Sequence, residues 1–173
     1  DTQYERVLGE IEARGMLDST LVVLTGDHGE EFMENGRWGH NSGFSEPQIR
    51  VPLVLLGPGV EAGVVDRLSS QLDIPATLLG LLGVSNPASD YSLGQSLLGG
   101  SARRYALVSG WKTVTYVDGE GKVEFPMRGT SFLRRPVWDR RDAPLADAAE
   151  FQRQHASVFV GVLNDLSRLS GRH

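Results

Sequence analysis

The chain predicts an α/β fold: helix and strand alternate through the first hundred residues, and a small antiparallel sheet and a final helix follow. Three observations carry this. An amphipathic stretch leads into the apolar run Leu21-Val22-Val23-Leu24, which stops at Thr25-Gly26. A second apolar run over residues 51–56 stops at Gly57-Pro58-Gly59. From Tyr105 the pattern changes to short β-rich runs separated by turn residues, and from Ala146 to a helical period. Helix feeding strand is the alternation of α/β folds, whereas closely spaced short strands pair with one another.

Taken in order, residues 3–16 place Tyr4, Val7, Leu8 and Ile11 on one helix face. Residues 21–25 read as a buried parallel strand, because the run is short, β-branched and apolar on both alternating sets. Residues 51–56 read as a second buried strand, closed by loop punctuation. Asp73 is placed as an N-cap, with Pro75 just inside a helix through Leu82 and Gly83 as its stop; Leu78, Leu79, Leu81 and Leu82 form its core face. Strands are expected over residues 105–109, 112–117 and 122–125, with Asp118-Gly119-Glu120-Gly121 as the last turn. Residues 130–143, with Pro136 inside and Pro144 just beyond, are expected to be a loop. Residues 146–169 form one helical pattern, with Phe151, Val158, Val162, Leu163, Leu166 and Leu169 on a face, His155 on the helix surface and His173 at the chain end.

Composition narrows the function classes. With 173 residues and 40% hydrophobic content the chain can bury a single core, and nothing in it reads as disordered, repeated or of low complexity. A net charge of −5 argues against general nucleic-acid binding. Arg103-Arg104, Arg134-Arg135 and Arg140-Arg141 are local basic pairs, expected to be solvated; the alternative is that one faces anionic lipid or phosphate. The absence of cysteine leaves the redox compartment open. No apolar stretch approaches the roughly 20 residues that span a bilayer, and no signal peptide opens the sequence.

The chemistry concentrates in Asp27-His28-Gly29-Glu30-Glu31 and in Trp38-Gly39-His40. In open α/β sheets ligands gather beyond the carboxyl ends of strands, which is where Asp27 and His28 would sit. A carboxylate oxygen and an imidazole nitrogen on one turn can converge on a divalent cation, at about 2.0–2.2 Å if it is zinc. Gly26 and Gly29 permit the tight backbone required. As a bare dipeptide, Asp27-His28 is more often the polar, solvated turn that follows many strands. His40 shifts that balance, because the stretch before it carries Asn35-Gly36 and can fold back to bring the second imidazole to the first. Glu30 and Glu31 are expected to be solvated, with a role behind the metal ligands as the lesser reading.

Thr25-Gly26-Asp27-His28-Gly29-Glu30, then Gly39-His40, Val51-Pro52-Leu53-Val54 and Asp73-Ile74-Pro75-Ala76-Thr77-Leu78-Leu79, resemble in that order the carboxy-terminal half of the sulfatase branch of the alkaline phosphatase superfamily. Residues 86–97 and 111–125 are similar to the PbgA (YejM) group of Gram-negative inner-membrane proteins within that branch. The resemblance implies the carboxy-terminal portion of an alkaline-phosphatase-like sheet with flanking helices, plus the small antiparallel sheet and terminal helix. Residues 1–100 would be the partial core with its metal-site loop, and residues 101–173 the remainder of the same domain.

It further implies that Asp27 and His28 bind a catalytic divalent metal, whether zinc, manganese, magnesium or calcium, and that His40 meets the substrate or a second metal. The nucleophile and a further metal-binding acid of the superfamily come from preceding strands, so the expectation is half an active site, inactive alone and completed by an amino-terminal half. A sheet lacking those strands would expose an edge and an apolar face. Two functions stay open. One is a hydrolase or transferase of phosphate or sulfate esters, with a lipid headgroup among the possible substrates. The other is a non-catalytic periplasmic domain that binds or senses envelope lipids such as lipid A or cardiolipin and regulates lipopolysaccharide assembly. In either case the resemblance implies the periplasmic face of the inner membrane, with membrane segments upstream.

Overall fold

A computed structural model describes residues 1–41, 43–99, 103–126 and 135–170. Helix α1 (Thr2–Ala13) forms where the amphipathic period lies, yet it buries no residue: Tyr4 and Val7 are exposed, and Leu8 and Ile11 are half-covered. Strand β1 (Val22–Thr25) pairs with β4 (Leu53–Leu56), Val22 opposite Leu56 and Thr25 opposite Leu53. The pairing is antiparallel, which corrects the expected parallel strand; among the described residues β4 is its one neighbour, and Val54 and Leu56 face outward. Nor is either strand fully buried, against the expectation for both runs; a short apolar run carries no direction, so periodicity could not distinguish the two arrangements.

Between these strands lie the hairpin β2 (Glu31–Phe32) and β3 (Trp38–Gly39) and the short helix α2 (Glu46–Ile49). Helix α3 (Asp73–Leu81) follows β4, and Gly83 stops it in the left-handed region at φ 83°. Two expectations fail here. Leu82 is exposed, the buried positions being Asp73, Ala76 and Thr77. Asp73 does not cap its own helix; its buried carboxylate accepts the amides of Ser70 (2.8 Å) and Gln95 (2.7 Å) and pairs with the Arg103 guanidinium. Arg103, expected in solvent, is thus a buried cation with a buried partner, and it also donates to the Tyr105 carbonyl at 3.0 Å.

The carboxy-terminal sheet is an antiparallel meander of β5 (Ala106–Ser109), β6 (Thr113–Val117), β7 (Lys122–Pro126) and β8 (Val137–Trp138). The first three strands fall where the sequence places them. The fourth lies inside the expected loop, where Val123 pairs with Val137 and Lys122 with Trp138. Two residues beside Pro136 are too few for an alternating pattern to register. The single helical pattern is in fact two helices, α4 (Ala148–Gln154) and α5 (Ala156–Ser170), parted at His155. That side chain is half-buried, not on the surface: Nδ1 lies 2.8 Å from the Phe151 carbonyl and Nε2 3.0 Å from the Asp118 carboxylate. Asp118 also accepts the Tyr116 hydroxyl at 2.8 Å, and burial followed by this carboxylate pushes the Tyr116 pKa up, holding it as a donor. Arg134, His173 and the side chains of Leu166 and Leu169 lie outside the described residues.

Strand alternation divides this sheet into two working faces. Tyr116, Val123, Phe125 and Val137 form the core with Phe151, Phe159 and Val162 of the helices. Lys122, on the other face, is 2% exposed and pairs with Glu46 of α2 at 3.1 Å and with Asp142. Asp142 also accepts the Glu46 amide at 2.9 Å and the Asn35 side chain at 3.3 Å. A buried charge network therefore joins the meander to the segment that follows the hairpin.

Candidate metal centre

Asp27 and His28 stand exposed just beyond β1, on a turn fixed from two sides. The Gly29 amide donates to the Gln48 carbonyl at 2.9 Å, and a Cβ on Gly29 would lie 2.0 Å from the Pro47 carbonyl oxygen. Only glycine allows that approach. From the other side, the Gln71 side chain donates to the carbonyls of Gly26 (2.7 Å) and Asp27 (2.9 Å). Gln71 carries no sequence signal of such a role, because a surface glutamine ahead of a helix looks like any other.

The hairpin then returns the chain. Met33 donates to the Arg37 carbonyl at 2.8 Å, Gly36 takes φ 76°, and Phe32 pairs with Trp38 across the two strands. His40 arrives against His28, ring centroids 4.3 Å apart and planes 30° apart. The fold-back inferred from the sequence thus brings the two imidazoles together.

Glu31 departs from expectation. It is wholly buried, and its carboxylate accepts the Ser45 hydroxyl, the Gln48 amide (2.8 Å) and the backbone amides of Asn35 (3.0 Å) and Arg37 (3.3 Å). The Ser45 hydroxyl first, and the Gln48 amide next, hold its carboxyl below the usual glutamate range, so it stays ionised inside the hairpin. Alternation explains the reversal: with Phe32 and Trp38 outward as a cross-strand pair, Glu31 and Gly39 point inward and Glu30 outward.

The ring contacts set the ligand atoms. His28 Nδ1 lies 2.9 Å from the Gly29 carbonyl, which only accepts, so in the neutral ring the proton sits on Nδ1 and Nε2 is the nitrogen that offers a lone pair. Asp27 Oδ2 is 3.7 Å from that Nε2. Two ligands about 2.1 Å from a tetrahedral zinc stand about 3.4 Å apart, so this pair is close to a chelating span. His40 Nδ1 lies 3.0 Å from Glu30 Oε2, the carboxylate–imidazole pairing that orients metal-ligating histidines. One ligand atom from each of His28, Glu30 and His40 falls within 4.8 Å of the others. Nitrogen and oxygen donors without thiolate suit zinc, manganese, magnesium or calcium, so these residues fit a divalent cation.

Comparison with known proteins agrees with the fold. Residues 1–84 match the sulfatase family model. The chain is 30% identical over 154 residues to the extracellular sulfatase SULF-1 homolog of Drosophila melanogaster, covering 86% of this chain and 13% of that protein. It is 35% identical over 99 residues to the inner membrane protein YejM of Salmonella typhimurium, covering 56% of this chain and 16% of that one. Among solved structures, the phosphonate monoester hydrolase SpPMH of Silicibacter pomeroyi superposes with a TM-score of 0.66 at 19% identity, over 99% of this chain and 38% of that one. By these matches the chain is sulfatase-like, and sulfatases generally use divalent metal ions. It spans less than a quarter of the length of either curated relative. Among the described residues no helix is long and apolar enough to cross a membrane.

Proposed function

We propose that this chain supplies the metal-holding side of a centre that cleaves or transfers sulfate or phosphate esters. Asp27 and His28 hold a divalent cation, and His40, oriented by Glu30, faces the ester group or a second cation. The observation that carries the reading is the return of His40 onto His28 with Nδ1 of each ring engaged and Nε2 left over for a ligand. When bound, such a cation offsets charge on the ester oxygens and lowers the pKa of an attacking hydroxyl. The chain's own residues do the positioning: Gly29 and Gln71 fix the turn, buried Glu31 holds the hairpin, and Glu30 keeps Nε2 of His40 available. We assign the nucleophile to residues outside this chain. Residues 1–100 and 101–173 act as parts of one domain, a reading supported by the Asp73–Arg103 and Glu46–Lys122 pairs that cross between them.

A second reading is favoured by the likeness to YejM, an inner membrane protein. In it the site is vestigial and the domain, at the periplasmic face of the inner membrane, binds or senses lipids such as lipid A or cardiolipin. Titration of manganese and zinc into the full-length protein, wild type beside His28→Ala, decides between them when hydrolysis of aryl phosphate and aryl sulfate is followed in the same samples. The metal-centre reading expects binding and turnover in the wild type and loss of both in the variant. A folded protein with neither would move the function to the second reading.

A further inference from the structure

The two histidines of the centre stand on segments with separate supports. His40 and Glu30 flank the β2–β3 hairpin, whose turn carries Asn35. The His28 turn leans on α2, where the Gln48 carbonyl accepts the Gly29 amide and the Pro47 carbonyl lies against Gly29. The 4.3 Å stack of the two imidazoles therefore depends on where the hairpin lies relative to α2. Both segments end on one carboxylate. Asp142 Oδ2 accepts the Asn35 side-chain amide at 3.3 Å and the Glu46 backbone amide, the first of α2, at 2.9 Å, while Oδ1 pairs with Lys122 of β7.

That carboxylate is built into place. Its side chain is 11% exposed, and the loop that carries it folds around Asp139, which accepts the amides of Arg141 (2.8 Å) and Ala143 (2.9 Å). Asp142 itself is held at φ 64°, a conformation uncommon for a residue with a side chain. Asn35 also donates its backbone amide to Glu31 at 3.0 Å, so the hairpin turn is held by one carboxylate from within and by a second from the meander side.

We propose that Asp142, 107 residues beyond Asn35 in the sequence, is a positioning residue of the metal centre, setting the hairpin that carries His40 against the α2 segment that supports His28. The inference rests on the metal-centre reading above. Lys122 already has Glu46 as a counter-ion, so neutralising the buried cation does not require Asp142 to meet two further donors. Those two contacts fix direction, since each donor must point at Oδ2.

The test is calorimetric titration of manganese into the full-length protein, with the visible absorption of the cobalt-loaded protein recorded at saturation. Asp142→Gly tolerates the left-handed backbone and removes the carboxylate, whereas Val137→Ala, in the meander core, is the control for lost stability alone. Manganese affinity is expected to fall about 10- to 100-fold in Asp142→Gly, the scale for losing the support of a metal ligand, and to stay within about twofold in Val137→Ala. The cobalt spectrum should shift in the first variant and match the wild type in the second. Asn35→Ala removes only the hairpin contact and leaves Lys122 paired; it should lose affinity about three- to tenfold, the scale of one hydrogen bond, and add nothing to Asp142→Gly in the double variant. Should Asp142→Gly fail to fold, Asn35→Ala decides alone. Wild-type affinity and spectrum in either variant, or an equal loss in Val137→Ala, overturn the proposal and leave the metal centre standing. A wild type that binds no manganese removes the metal-centre reading and the proposal with it.

Discussion

Around the β5–β8 sheet the buried residues are mostly aromatic and aliphatic, whereas around the candidate site they are acids, amides and hydroxyls. Tyr116, Val123, Phe125, Phe151 and Phe159 close the first region. Glu31, Ser45, Gln48, Asp73, Thr77 and Ser92 are buried in the second with only Ala76 and Leu97 as apolar company among the described residues, and Tyr4, Val7, Val54 and Leu56 are open to solvent. Apolar burial is strong and non-directional, so it supplies stability without dictating where one atom must lie. Hydrogen bonds to a buried carboxylate fix direction, since each donor must point at an oxygen. The comparison teaches a division of labour in which the meander is the anchor, the hairpin holds ligand geometry, and Lys122 with Glu46 and Asp142 is the tie between them.

The largest expected effect tests the anchor. Phe151→Ala removes a ring that is 4% exposed and stacked on His155 at 4.1 Å, and should cost about 3–5 kcal/mol. Val54→Ala, on the open strand β4, should cost about 0.5 kcal/mol. Urea unfolding followed by circular dichroism measures both. Similar losses would break the contrast between the regions.

The next effect is on geometry. Gly29→Ala drives a Cβ into the Pro47 carbonyl, and the backbone that gives way is the one carrying His28. Disturbing the support of a metal ligand typically lowers affinity about 10- to 100-fold, and that is the expected loss of manganese affinity. The unfolding midpoint of the meander should move far less, because its core lies elsewhere. A variant that binds manganese like the wild type would show that the turn is not held by this contact.

The division also explains what could be read in advance. The first three meander strands, the stop at Gly83 and the return of His40 were legible because each follows from a local rule: alternation, a left-handed glycine, a turn between two ligand types. The antiparallel pairing of β1, the cross-chain role of Asp73 and Arg103, the burial of Lys122 and the clamp from Gln71 were not. Each depends on a partner at least 20 residues away, or on strand direction, neither of which leaves a periodic trace. Glu31 lies between these cases. Its inward position follows from the Phe32–Trp38 pairing, but the two-residue strands that establish it are shorter than any pattern that would reveal them.

Glu31 also provides the smallest and most specific test. Its carboxyl is held below the ordinary glutamate value by the Ser45 hydroxyl and the Gln48 amide, so the folded state binds its proton less readily than the unfolded chain does. Stability from this group is therefore fully present above the unfolded value, about 4.3, and is lost as the pH falls through the lower folded value. Asp139, held down by the amides of Ala143 and Arg141, and Glu150, held down by Arg153, have the same sign, so the acid slope of the wild type has several sources. Glu31→Gln removes only the hairpin's share. Unfolding free energies measured between pH 6 and pH 3 should fall less steeply for the variant than for the wild type, with Trp38 fluorescence reporting the hairpin. Coincident slopes would mean that Glu31 is protonated as readily in the fold as out of it, and that the hairpin owes its shape to something other than a buried charge.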